Sequence, residues 1–331
     1  MSFDGELIRV VRKKILLGVG AALVAVTGLS IGAAEKTPPA IAQQTSAHQG
    51  SRLLAQAPGT PLTIAFPGRA DSTDLQTKAN AVAQFLSKEM GMPVNAVVAD
   101  ETATVEALRA NRADVAFLSS RPALKAQELA NARLYLAEVR PNYSGRHTYR
   151  SIFVVPKNSP LQGKSSAKQT LEQLRGKKMA FTSPTSGSGF IFPVGELVKS
   201  GLVPNRDRLN GFFGQVAYGN NYSGALQAVL RGQADVAAVS EYAMYPPYIT
   251  AEEASKLRIL HAISGVPAHG IAIDDDVPAA TRQRIINAML KLNQPANNQL
   301  LKSLYNSNEL VKVEHNSHLQ PMRDALKRAG F

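Results

Sequence analysis

The chain has 331 residues, 37 Lys and Arg against 25 Asp and Glu, no Cys, no Trp and 44% hydrophobic residues. It is too apolar and too weakly charged to be disordered throughout, and without Cys it is no disulfide scaffold, thiolate metal protein or Cys-nucleophile enzyme. Six basic and three acidic residues precede residue 61, so +9 of the formal +12 charge falls beyond it, with no basic block of five or six; this argues against nucleic acid and favours an anionic small ligand or an anionic membrane surface.

In chain order, the first element is a positive cluster at residues 9–14, an almost wholly apolar run at 15–31, and small residues with Ala40-Ile41-Ala42 as a plausible cleavage site. This reads as an export signal over residues 1–42; the other reading is an uncleaved anchor helix, since the run is nearly long enough to span a bilayer. No Cys follows it, which excludes a lipid-anchored precursor. Residues 43–60 form a polar, Pro- and Gly-containing linker. The expected location is the periplasm, with the body either released or tethered.

From residue 62 short apolar runs alternate with helical patterns, the signature of α/β layering. LTIAF (62–66), VNAVVA (94–99), VAFL (115–118) and YLAEV (135–139) read as strands, with helices at 75–90 and 104–110. A second series gives strands at 151–155, 178–182, 215–219 and 236–240, with helices at 171–175, 191–200 and 225–231. Two further strands, 257–263 and 269–273, precede a helix at 279–292 and a helical tail.

An internal similarity pairs ALRANRADVAFLSS (107–120) with AVLRGQADVAAVSE (228–241), aligning Asp114 with Asp235 and Ser119 with Ser240. Asn111 and Gly232 stand at the turn, where helices commonly end in a left-handed residue. Two lobes of one plan are expected, with Ser119, Ser120, Ser240 and Glu241 at the carboxyl ends of their strands, where open α/β sheets place the ligand crevice.

The stretch SPTSGSGFIFP (183–193) follows a strand and opens a helix. Pro193 must lie near the first helical turn, which puts the helix start at about Phe190. Free amides of that turn, the hydroxyls of Thr185, Ser186 and Ser188, and close approach over Gly187 and Gly189 would suit a tetrahedral oxyanion; the other reading is an ordinary helix cap. No Lys follows Gly189, so it is not a P-loop, and Ser186 occupies the first glycine position of a nucleophile elbow. Arg69 and Arg121 each follow a strand, and each reads either as a bidentate oxyanion ligand or as a solvated surface residue. His315 and His318 read as surface residues rather than metal ligands, and His147, His261 and His269 show no pairing that suggests a triad.

The succession LTIAFPGR, FLSKEMGMPVNAVVADE, EALRANRADVAFL, RSIFVVPKNS, LEQLRGKKMAFTSPTSGSGFIFP and ALQAVLRGQADVAAVS resembles the periplasmic phosphonate, phosphite and phosphate binding proteins of ABC importers, over roughly residues 62–292. The resemblance implies a two-lobed type II periplasmic-binding-protein fold, each lobe a mainly parallel sheet flanked by helices, joined by crossings near 150–155 and 257–263. The family's Ser-Thr-Ser-Gly loop falls on Ser186, Gly187, Ser188 and Gly189, so the middle hydroxyl is absent, and Thr185 is the residue expected to replace it. Where the family often has a His, this chain has Asn221 and Tyr222; Tyr222 either bonds the ligand or packs at the lobe edge. Glu241 is the match the resemblance gives for a carboxylate that would hold a ligand amine; the other readings are a pair with a neighbouring Arg or a solvent-facing residue. Ser119, Ser120 and Arg121 replace the family's aromatic-containing loop.

The expected lobes are 61–150 with 261–331, and 151–260. The expected function is capture of an oxyanion by lobe closure and delivery to an ABC permease, by a monomer with no cofactor, no metal and no catalysis. The alternatives are a sensor subunit for a membrane kinase, or a secreted hydrolase using Ser188.

Overall fold

A computed structural model of the chain describes residues 61–68 and 74–331. The expected signal, the linker and Arg69 lie outside the described residues. None of the described helices is long and apolar enough to cross a membrane.

The described residues build two sheets. The first contains β1 (Leu62–Pro67), β2 (Val94–Ala99), β3 (Val115–Leu118) and β4 (Arg133–Val139), joined later by Gly270–Ile273 and Glu309–Lys312. The second contains β5 (Thr148–Pro156), β6 (Lys178–Phe181), β7 (Gln215–Tyr218), β8 (Val236–Ser240) and β9 (Leu257–Pro267). With β10 (Gly270–Ile273) and β11 (Glu309–Lys312), the strand orders are β11-β4-β10-β3-β1-β2 and β7-β6-β8-β5-β9. In each sheet four strands share one direction. The strand that enters from the other lobe, β10 in the first and β5 in the second, runs against its neighbours.

The repeated sequence motif has a repeated job. Asp114 accepts a hydrogen bond from Thr63 N at 2.7 Å, and Asp235 accepts one from Lys178 N at 2.8 Å, so each aspartate holds the start of a neighbouring parallel strand. The return bonds, Asp114 N to Thr63 O and Asp235 N to Lys178 O, are both 2.9 Å. Asn111 (φ 51°) and Gly232 (φ 69°) are both left-handed, ending the preceding helices as the pattern requires.

The chain passes between sheets at residues 140–147 and again at 268–269. Both crossings lie outside the expected 150–155 and 257–263, which instead form β5 and β9 side by side in the second sheet. β5 is an interior, largely buried strand and β9 the edge strand paired with it, so the apolar runs there mark strands of one sheet rather than connections between sheets. Residues 148–150 and 261–267 accordingly belong to the second sheet. The final helix, His315–Ala329, also departs from the expected first-lobe assignment: Leu319 packs in the first lobe, whereas Met322, Ala325 and Ala329 complete the core around Phe181, Phe190 and Leu197 in the second.

Several elements were not expected from the pattern, among them a short helix at Ala251–Ser255. A helix at Ser120–Ala130 follows β3 directly, its buried face made mostly of small residues, Ala123, Ala126 and Ala130, which carry little periodic signal. The expected helical tail forms helices at Asn298–Tyr305 and His315–Ala329, and between them lies β11, an unexpected four-residue edge strand. His315 and His318 are buried at 3% and 7% exposure rather than on the surface, because their helix turns them onto the first lobe: His315 Nδ1 accepts from Leu134 N at 2.9 Å.

Candidate functional site

A cavity of about 570 Å³ lies between the lobes, with walls from both. Its shape follows from where helices begin. The helices α1 (Leu75–Met90), α2 (Glu101–Arg109) and α3 (Ser120–Ala130) belong to the first lobe; α4 (Ala167–Glu172), α5 (Phe192–Lys199) and α6 (Tyr222–Leu230) belong to the second. The first turns of α2, α3 and α6 and the loop leading into α5 all line the cavity. Each helix start leaves amides without intrahelical partners and a partial positive charge, so the cavity is electropositive by construction.

The loop before α5 shows how sequence sets this geometry. Residues Gly187–Ile191 form a π-type turn that runs without a break into α5, so the helix begins three residues earlier than Phe190. Ile191 N bonds Ser186 O at 3.0 Å, one residue beyond the α pattern. Pro193 has no N–H to offer the carbonyl four residues back, and that carbonyl, Gly189 O, accepts instead from Thr182 N at 3.2 Å. Ser186 caps the turn, its Oγ accepting from Gly189 N at 3.0 Å.

The expected loop residues divide into two groups. Thr185, Ser186 and Gly187 line the cavity, together with Ser183, whose Oγ lies 3.2 Å from Thr185 Oγ1. Ser188 and Gly189 stand behind it. Ser188 is fully buried, with its Oγ 2.8 Å from Tyr222 Oη and its carbonyl accepting from Ser151 Oγ at 2.6 Å. A hydroxyl so enclosed is no nucleophile for an incoming substrate. A Cβ on Gly189 would sit 2.1 Å from Thr182 Oγ1, so this glycine lets the turn pack on β6 rather than opening the main chain to a ligand. Gly187 faces the other lobe: a Cβ there would meet Met322 Cε at 2.9 Å and Ser120 Oγ at 4.0 Å.

Ser119, Ser120 and Arg121 line the cavity from the first lobe. Ser119 N donates to Glu101 Oε1 at 2.8 Å, which ties the start of α3 to the start of α2. Arg121 Nη1 is buried without a hydrogen-bond partner, and its guanidinium stands 4.9 Å from the Phe331 ring. Arg206, from the second lobe, approaches that ring to 3.8 Å. Burial, and then Arg206, pull the Arg121 guanidinium below its usual basicity, two cations sharing one aromatic ring.

Asn221 and Tyr222 also line the cavity. Asn221 Oδ1 caps α6 by accepting from Gly224 N at 2.8 Å, which leaves the Tyr222 and Ser223 amides at the open end. Glu241 does not reach the cavity. It is 5% exposed, pairs with Arg150 Nε at 2.6 Å, and accepts from the amides of Ser144 at 2.8 Å and Arg150 at 3.0 Å. Its lone pairs are consumed in fastening the first crossing to β5, so the expectation that it would hold a ligand amine fails.

Several lining residues escaped the sequence reading: Glu101, Arg140, His269 and the tyrosines Tyr149, Tyr242 and Tyr248. Arg140 is 6% exposed, its Nε 3.0 Å from Glu138 Oε1, its guanidinium 4.9 Å from the Tyr242 ring. Burial pushes the guanidinium down, but the Glu138 carboxylate together with Tyr143, Tyr242 and Tyr248 more than offsets this and holds it well above the usual arginine value. Glu138 is fully buried. Burial raises its carboxyl, and Arg140, His269, Ser307 and Tyr143 together bring it below the ordinary value. Tyr143 Oη donates to it at 2.7 Å, Ser307 Oγ also donates, and His269 Nδ1 lies 3.4 Å away. The two crossings therefore meet at one buried ion pair whose cation lines the cavity. Arg140 sits just past β4, where the pattern shows only a strand ending; no local spacing marks it.

The comparisons with known proteins agree with this geometry. Residues 64–319 match the family described as ABC transporter, phosphonate, periplasmic substrate-binding protein. The phosphonates-binding periplasmic protein of Escherichia coli K12 is 30% identical over 115 residues, covering 33% of this chain and 31% of that one. The phosphate-import protein PhnD of Mycolicibacterium smegmatis is 27% identical over 178 residues, 53% of each chain. The alignments thus span about a third and about half of these relatives' lengths. Among solved structures, PhnD1 of Prochlorococcus marinus in complex with methylphosphonate superposes with a TM-score of 0.64 at 18% identity, covering 81% of this chain and 97% of that one. That likeness establishes the two-lobed type II periplasmic-binding-protein fold. With the family model covering most of its length, the chain belongs to the family of periplasmic phosphonate substrate-binding proteins of ABC transporters.

Proposed function

We propose that the protein captures a phosphonate, phosphite or phosphate-type oxyanion between its lobes and delivers it to an ABC permease, without transforming it. The observation that carries this reading is the convergence of three helix starts, those of α3, the 187–199 run and α6, with Arg121 and Arg140 on a single interlobe cavity. Helix starts bind tetrahedral oxyanions through free amides, and arginine adds charge-assisted, bidentate bonds. The proposed binding residues are Ser119, Ser120 and Arg121 from the first lobe, Thr185, Ser186, Gly187, Asn221 and Tyr222 from the second, and Arg140 at the crossing.

Closure works by differential affinity. A ligand that touches both lobes favours the closed form over the open one, and inverting a 1:99 population takes a ratio near 10⁴, about 5.5 kcal/mol. A few charge-assisted bonds at about 1.5 to 3 kcal/mol each are sufficient. The closed form is then what the permease recognises, and the periplasmic location of the family supports an exchange in that compartment.

The test is a melting panel of phosphate, phosphite, methylphosphonate, aminoethylphosphonate and a sulfonate. A ligand present at a hundred times its dissociation constant stabilises the folded chain by about 2.7 kcal/mol. The phosphorus oxyanions should shift the transition and the sulfonate should not; a panel without any shift refutes the reading.

A further inference from the structure

We infer that the ligand carries a planar aromatic or similarly flat organic body beside its oxyanion head, so that the chain is built for an aryl-bearing phosphonate or phosphate monoester rather than a bare or methylated anion. The inference rests on the proposed oxyanion site and extends it.

The first observation is room. A cavity of about 570 Å³ lies within the range of sites for drug-sized ligands, roughly 300–1,000 Å³. At about 30 Å³ for each molecule of liquid water it could hold close to twenty waters, whereas a tetrahedral anion with one small substituent fills the space of a few. Gly187 looks across this volume at the first lobe, where a Cβ on it would stand 4.0 Å from Ser120 Oγ.

The second observation is what covers the rest of the wall. Tyr149, Tyr222, Tyr242 and Tyr248 all line the cavity. Tyr222, Tyr242 and Tyr248 are mutually 5.7 Å apart between ring centroids, and Tyr149 lies 5.2 Å from Tyr242. Their polar ends are partly spent on one another: Tyr242 Oη donates to Tyr222 Oη at 3.4 Å, and Tyr222 Oη lies 2.8 Å from Ser188 Oγ. Tyr149 and Tyr242 are buried at 3% and 5% exposure, so the ring surface this shelf offers is that of the partly exposed Tyr222 and Tyr248, backed by the other two. An anion as small as phosphate needs no such shelf, while aromatic pairs at 4.5–7 Å are attractive beyond the area they bury.

The third observation is position and charge. Tyr222 is the first residue of α6, so the shelf begins at one of the helix starts that would hold the oxyanion. On the opposite lobe the lining includes the Glu101 carboxylate. Its charge has the wrong sign for a second phosphate, which points to a body that is neutral or bears a hydrogen-bond donor.

The test is titration of the purified chain with phosphate, methylphosphonate, phenylphosphonate and phenyl phosphate, repeated on Tyr248→Leu, a half-buried position where the ring can be removed with little loss of volume. The aryl ligands should bind at least tenfold more tightly than methylphosphonate to the unmodified protein, and Tyr248→Leu should cut that advantage severalfold while leaving methylphosphonate affinity unchanged. Methylphosphonate or phosphate binding as tightly as the aryl ligands overturns the inference and leaves the oxyanion reading standing. Binding of none of the four overturns both. The wild-type comparison decides the matter even if the variant fails to fold.

Discussion

Ser186 and Ser188 are two residues apart in one loop and read alike in the sequence, yet their physical roles differ. Ser186 caps the π-type turn and lines the cavity; Ser188 is buried behind it, fastened to Tyr222. Ser186→Ala removes a cap and a proposed ligand contact at once. It should lower stability by about 1 kcal/mol and weaken oxyanion binding by roughly tenfold, since a tenfold change is about 1.4 kcal/mol. Ser188→Ala should cost a similar amount of stability through its lost hydroxyl pair, with a much smaller effect on affinity. Denaturant melts and titrations on both variants check this, and a larger affinity loss in Ser188→Ala would reverse the assignment. The serines and Arg121 after β3 were legible because a polar exit from an apolar strand is a local signal. Arg140 was not, because its importance comes from a carboxylate two residues back and a tyrosine from another lobe.

Elements were legible where their chemistry is local. The two Ala-Asp-Val-Ala strands were read correctly as a repeat, and the fold gives both aspartates one task. The start of the helix carrying Pro193 was misplaced because proline breaks the α pattern without ending the helix, and the turn absorbs the missing bond by widening. The final helix was legible as a helix but not as a bridge, since its apolar stripe does not say which core it enters. Its first residue supplies a pH signature. Burial, then the nearby Arg323 and Arg133, hold the His315 imidazole down to about 4, and its Nδ1 accepts from Leu134 N only while neutral. The unfolded chain takes up this proton near 6.5, so between about 6.5 and 4 it binds more protons than the folded one. The contribution to stability is fully present above about 6.5 and drains away as pH falls to about 4. Asp274, held up to about 7 chiefly by burial, acts in the opposite sense, losing stability as pH rises toward 7. Since Asp274 is unchanged in His315→Gln, comparing the two proteins isolates the histidine. The wild type should lose more stability than the variant across this window, by on the order of 2 kcal/mol, and parallel pH profiles would contradict the assignment.

At the scale of the molecule, two lobes with separate cores are joined by two short crossings and one long helix. The crossings meet at the Glu138–Arg140 pair, and the helix carries Met322 to the cavity wall and leads to Phe331 between Arg121 and Arg206. Connections of this kind let the lobes change their angle while keeping one cation at the junction. The two-lobed plan was visible in the repeat and in the alternation of strands and helices. The crossing points were not, because the apolar runs of β5 and β9 read like connections although the two strands pair within one sheet. The central claim is that an oxyanion binds between the lobes with Arg140 supplying charge. Replacing Arg140 alone strands the Glu138 carboxylate, at a cost of about 3–5 kcal/mol, so the informative protein is the double variant Glu138→Gln with Arg140→Gln, in which no buried charge is left unpaired. Calorimetric titration of wild type and double variant with methylphosphonate and phenylphosphonate is the most direct measurement. The wild type should bind one equivalent, and the folded double variant should bind at least tenfold more weakly; equal affinity in the two proteins would contradict the account.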